Sequence, residues 1–216
     1  MCNIYVFFSI VHNMNPLNIL LWVESIPRLL SMIDFLHIET NDFVFILHSF
    51  SSMDLFISFQ EKYPSILFIY IKNLSSNVYE SITYATKEII RKYTCHSKTI
   101  LLSDMYIYTS NILMKYRTIE NNVIYYKKKN GMIEENNSFN IMYCKYKDSI
   151  VHIYGFQDIN ILYYYAKQIS LTQSVSSVSS SFQMIDLLLA MVLKKEDFSW
   201  ISIKKGDIHK IDISDL

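Results

Sequence analysis

At 216 residues, 51% hydrophobic and only 19% charged, the chain can bury a real core, which excludes a wholly disordered protein. Lys+Arg and Asp+Glu both number 20, and this zero balance argues against a generic nucleic-acid binder that works by neutralising phosphates. Cys2, Cys95 and Cys144 are far apart with no C-x-x-C pair, and the six histidines form no H-x-x-x-H pair, so neither a disulfide framework nor a metal site is expected.

Along the chain, Ile4 to Val11 reads as a buried strand; it lacks a basic n-region and is too short to span a bilayer. Leu17 to Leu36 has helical spacing, with an interruption at Pro27. Asp42 to His48 is a strand, Met53 to Lys62 a short helix ended by Pro64, and Ser65 to Ile71 a third strand. Asn77 and Glu80 resemble a capping pair, and behind them Val78, Ile82, Ala85, Ile89 and Tyr93 share one helix face. Thr99 to Leu102 is a fourth strand ending at Ser103-Asp104, Tyr106 to Tyr116 a helix, and Asn122 to Tyr126 a fifth strand.

Strands separated by helices predict right-handed crossovers and a parallel sheet, with ligands beyond the carboxyl ends of the strands. The polar stretch Lys127 to Asn137 reads as a boundary between a Rossmann-like domain over 1–130 and a smaller α/β half over 138–216. Past it, Phe139 to Tyr146 and Ser149 to Tyr154 read as strands and Asn160 to Ile169 as a helix. Ser174 to Val178 is then a strand, Met184 to Leu193 a helix and Trp200 to Ile203 a strand, and the tail from Lys204 reads as peripheral.

With 3 glycines in all, there is no Gly-rich phosphate loop of either the Walker or the dinucleotide type. A phosphate site would have to use helix ends and hydroxyls. The run Ser174 to Ser181 ahead of the helix Met184 to Leu193 supplies both, with Ser180 and Ser181 as candidate phosphate ligands. The bland alternative is ordinary N-capping by serine. Asp104, at a predicted strand end, is the candidate catalytic acid, against a capping role. His152, between Val151 and Ile153, is either a donor ligand or a core histidine. Lys127-Lys128-Lys129 is either a contact for an anionic lipid or sugar or a solvated loop.

Several segments together resemble the bacterial sialyltransferases and polysialyltransferases. They are Asn3 to His12, Leu101 to Tyr106 with Ser110-Asn111, Val123 to Gly131, and Ser174 to Ser181. The resemblance implies two Rossmann-like domains facing a cleft (a GT-B-like arrangement, incomplete here). It implies CMP-sialic acid as donor substrate, with no separate cofactor, and a glycan acceptor. Ser180, Ser181 and His152 would then face the donor phosphate. Where that family carries an acidic pair before glycine, this chain reads Lys129-Asn130-Gly131, and its His-Pro motif is absent, so the expected turnover is weak or nil. The expected location is the cytoplasm or the inner face of the membrane; the oligomeric state stays open. A second reading takes Ser97 to Ser170 as a non-enzymatic binding module with a saddle-like half repeat of the TATA-binding-protein type. Parallel strands over residues 4–126 favour the transferase reading, and a curved antiparallel sheet favours the module.

Overall fold

The computed structural model describes residues 17–23, 26–33, 42–49, 57, 60–64, 66–71, 78–93, 97–103, 106–127, 150–172, 184–204 and 206–210. Nine strands are defined among them: β1 (Asn18–Val23), β2 (Phe43–His48), β3 (Ile66–Tyr70), β4 (Thr99–Ser103), β5 (Tyr106–Tyr108), β6 (Asn122–Lys127), β7 (Ile150–Phe156), β8 (Phe198–Ile203) and β9 (Ile208–Lys210). The helices are α1 (Ile26–Ile33), α2 (Val78–Tyr93), α3 (Ser110–Thr118), α4 (Ile159–Thr172) and α5 (Ile185–Leu193).

Seven strands form one sheet in the order β3-β2-β1-β4-β7-β6-β8. β1 lies parallel to β2 and β4, and β2 parallel to β3. The parallel expectation therefore holds for β1 to β4. Beyond β4 the sheet is mixed: β7 is antiparallel to both β4 and β6, while β6 and β8 are parallel. The molecule is thus a mixed α/β fold around a seven-stranded sheet. Strands from both sides of residues 131–137 enter that same sheet, and no second sheet of the GT-B-like kind is found among the described residues. The saddle-like reading required an antiparallel sheet over residues 4–126, and β1 to β4 do not provide one.

Period-two alternation sends side chains to two helix layers. Leu20, Phe45 and Leu101 pack on the layer of α2, α4 and α5, whose buried members include Ile82, Leu162 and Leu187. Leu21, Ile46 and Leu102 pack on α1 and α3 through Leu29, Ile112 and Tyr116. α2 also has Glu80 in its first turn and Arg91 and Lys92 in its last, signs that suit the helix dipole.

The structure changes three sequence expectations. The stretch predicted as one helix, Leu17 to Leu36, is the central strand β1 followed by α1. All six residues of β1 are buried, because a central parallel strand is covered on both faces and so shows no alternation. Pro27 lies in the first turn of α1, where its missing N–H costs nothing, so it marks a helix start and not a kink. The predicted helix Tyr106 to Tyr116 divides into β5 and α3. The tail beyond Lys204 is not peripheral: β9 pairs antiparallel with β5, and Asp207 is buried. The strands predicted at Ile4 to Val11, Phe139 to Tyr146 and Ser174 to Val178 lie outside the described residues.

The amino edge of the sheet is closed by polar contacts. Asn18 donates its amide to the Ser97 carbonyl (3.2 Å) and to Thr99 Oγ1 (3.3 Å). The Lys98 ammonium donates to the carbonyls of Arg117 (3.0 Å) and Ile119, which satisfies the carboxyl end of α3. The Arg117 guanidinium pairs with Asp42.

Candidate functional site

Chain order β1, β2, β3 steps outward along the sheet, and β4 then returns to the other side of β1. The sheet therefore reverses its winding between β1 and β4, and in open α/β sheets the crevice at the carboxyl ends of such a pair is where ligands sit. The registers Val23↔His48 and Trp22↔Ser103 put the ends of β2, β1 and β4 side by side there. Because β7 runs antiparallel to β4, its beginning reaches the same edge, one residue past the Leu102↔Ile153 pair.

His152 is the third residue of β7, next to Ile153 on this side of the pair. It occupies the left-handed region with φ of 54°, in a stretch where the β6–β7 register shifts between Ile124 and Tyr126. Such a conformation is uncommon outside glycine and carries a cost that the surrounding sheet must offset. The His152 Nδ1 lies 3.4 Å from the Tyr154 hydroxyl. Beside it, Ser103 is 1% exposed and its hydroxyl has no partner among the described residues. An unpaired buried hydroxyl costs about 1–3 kcal/mol, so Ser103 at the winding reversal is a position where a polar ligand atom would be stabilised.

The edge extends to the starts of two helices. α2 follows the carboxyl end of β3, and α5 begins next to it: the Tyr79 hydroxyl accepts the Asp186 N–H at 3.2 Å and lies 3.5 Å from Asp186 Oδ2. Burial, together with the Asp186 charge, raises the Tyr79 phenol well above its ordinary value, so it stays protonated and can donate to the carboxylate. The residue at the start of α5 is Met184, which makes no side-chain cap bond; the Tyr79 hydroxyl satisfies one of the free N–H groups instead.

Of the four residues nominated from sequence, His152 is on this edge, and Asp104, Ser180 and Ser181 lie outside the described residues. Trp22, Tyr79 and Asp186 were missed. Trp22 was read as helical, and the Tyr79–Asp186 contact joins residues with no local sequence relation. The strand end at Ser103 was legible from the polar pair after an apolar run. Among the described residues no three His, Cys, Asp or Glu side chains gather as a metal site, and no helix is long and apolar enough to cross a membrane.

His48, at the end of β2, is 4% exposed and lies edge-on to Phe68 and Tyr70, with ring centroids 5.9 and 5.8 Å away. Burial lowers its imidazole from 6.5 to about 4. Between those values the unfolded chain binds a proton that the folded chain does not. This contribution is fully present above pH 6.5 and is lost as pH falls toward about 4, by about 3 kcal/mol in total. His48→Phe should flatten that part of the pH dependence. Urea melts of wild type and variant at about pH 7 and about pH 4.5 measure it, and equal acid losses in both would reject the assignment.

No protein-family model matches the chain, and no curated protein matches it in sequence. Solved structures do match in fold. A nucleoside-diphosphate-sugar pyrophosphorylase from Vibrio cholerae RC9 is 8% identical, with 88% of this chain and 93% of that one covered at a TM-score of 0.56. A 4-diphosphocytidyl-2C-methyl-D-erythritol synthase is 7% identical, with 93% and 94% covered at 0.57. A CTP:phosphocholine cytidylyltransferase from Streptococcus pneumoniae is 10% identical, with 93% and 96% covered at 0.55. At these identities the likeness is one of fold: the chain shares the architecture of these structures over most of its length. This overturns the sialyltransferase resemblance and the sialyl-transfer function drawn from it. The segments behind that resemblance are short, and two of them, Asn3 to His12 and Ser174 to Ser181, lie outside the described residues.

Proposed function

We propose that the chain binds a nucleotide at the carboxyl edge between β1 and β4 and acts in the manner of a nucleotidyltransferase. In such a reaction an acceptor phosphate oxygen attacks the α-phosphorus of a nucleoside triphosphate. A new P–O bond forms, the bond to the β-phosphate bridge breaks, and pyrophosphate leaves. The observation that carries the reading is the winding reversal at Trp22↔Ser103 within a strand order that spans the chain. It is supported by fold neighbours whose names concern sugar nucleotides and cytidylyl compounds. Ser103 and His152 are the described residues that we place against the ligand. Asp104, Ser180 and Ser181 are proposed alongside them from sequence. The stretch before α1 reads Glu24-Ser25, without glycine, so a phosphate there would be held by side-chain hydroxyls and helix-start N–H groups and not by a glycine cradle.

Calorimetry with CTP, UTP, ATP and GTP tests the reading. At least one should bind with a dissociation constant below about 1 mM, equivalent to about −4 kcal/mol. Pyrophosphate release with phosphocholine or a sugar 1-phosphate as acceptor then identifies the reaction. Folded protein that binds none of the four triphosphates at millimolar concentration would remove the proposal.

A further inference from the structure

The two-stranded ribbon of β5 and β9 lies outside the seven-stranded sheet, yet it is tied to the end of β4. The buried Tyr108 donates its hydroxyl to the Ser103 carbonyl. Tyr108 pairs with Ile208, Ile107 with His209 and Tyr106 with Lys210. Asp207, just before β9, is buried and gathers the surroundings: Oδ2 accepts from the Lys204 N–H (3.0 Å) and the Lys115 ammonium (3.1 Å), and Oδ1 lies 3.4 Å from the Asn111 amide. Its carbonyl accepts the Thr109 N–H at 3.0 Å. Asp207 thus joins the start of α3 to the ribbon of β5 and β9, and the Tyr108 hydroxyl bonds the end of β4.

We propose that Asp207 and Tyr108 are positioning residues that hold the carboxyl end of β4, with Ser103, in place at the winding reversal. The physical reason is geometric: the Tyr108 hydroxyl bonds the last residue of β4 directly, and it adds to the pairing of Ser103 with Trp22 and to the packing of Tyr108 and Ile208 in the core. β5 has three residues, and a two-stranded ribbon of that length is marginal without support. Asp207 supplies the support from α3, and Tyr108 passes it to β4. Burial would by itself raise the Asp207 carboxyl, but the Lys204 N–H, Lys115 and Asn111 outweigh it and hold the carboxyl below its usual range, so it is ionised at neutral pH.

The test is hydrogen exchange on the full chain, comparing wild type with Asp207→Asn and Tyr108→Phe. In Asp207→Asn, amides of 106–108, 208–210 and the end of β4 at 102–103 should exchange at least about tenfold faster, while those of β2 and β3 keep their rates. Tyr108→Phe, which removes only a hydroxyl, should speed 102–103 alone. Unchanged exchange at 102–103 in Tyr108→Phe overturns the proposal, as does uniform acceleration in both variants, which would report global loosening. If Asp207→Asn does not fold, Tyr108→Phe decides. The ligand consequence rests on the nucleotide reading: both variants should bind the triphosphate found by calorimetry about five- to tenfold more weakly. Absence of binding by wild type removes the nucleotide reading and leaves the exchange result to judge the coupling.

Discussion

Arg117→Met is expected to lower the free energy of unfolding by about 4 kcal/mol, the scale of breaking one side of a buried ion pair. The side chains of Arg117 and Asp42 are 5% and 0% exposed. Asp42 Oδ1 also accepts the Leu17 N–H at 3.0 Å. One carboxylate therefore ties together the last turn of α3, the entry to β2 and the entry to β1. Without the guanidinium it becomes a buried charge with a partner lost. The double variant Asp42→Asn with Arg117→Met should be the less damaged of the two, because asparagine can still accept from Leu17 while carrying no charge. Urea denaturation of wild type, single and double variants gives the comparison. A loss below about 1 kcal/mol for the single variant would mean that the pair behaves as a surface one.

Gly155→Ala should cost about 3 kcal/mol, for a steric reason. A Cβ at this position would lie 2.3 Å from Tyr116 Cε2, 2.7 Å from its Cζ and 2.7 Å from Val123 Cγ2. The ring cannot swing away cheaply: its hydroxyl donates to the carbonyls of Thr99, at 3.1 Å, and Phe156. Tyr116 therefore lies flat against the β7 backbone, bridging β4 and β7, and only glycine leaves room for it. In a Tyr116→Leu background the same alanine should cost less by about 1 kcal/mol or more, since the closest clash is removed. Thermal or urea melts of the four proteins close the cycle. Additive losses would show that Tyr116 is not what excludes a side chain at 155.

How much of this was legible in the sequence depended on whether the signal was local. The one-sided spacing of Val78, Ile82, Ala85 and Ile89 located α2, and the capping acid Glu80 marked its start. The apolar runs of β2, β3 and β4 were found within a residue or two, each ending at a polar residue or pair. β1 was not found, because Asn18–Val23 is apolar on both faces and a short buried strand then looks the same as a buried helical segment. The candidate site followed the same division. The carboxyl strand ends at His48 and Ser103 could be named in advance, whereas the Tyr79–Asp186 contact spans 107 residues and left no pattern to read.

The sequence by itself determined that the chain folds around a helix-covered sheet, since periodicity of apolar residues is a property of neighbours along the chain. It also determined that any phosphate site would lack a glycine cradle. Only the tertiary structure decided which strand lies at the centre, that β7 runs against β4 and β6, and that residues 208–210 return to pair with 106–108. Strand direction and partner choice are set by which buried faces, ion pairs and carbonyl contacts can be satisfied together. Asp42 with Arg117 and Asp207 with Lys115 are 75 and 92 residues apart in the chain, so their energies exist only once the sheet has brought them together.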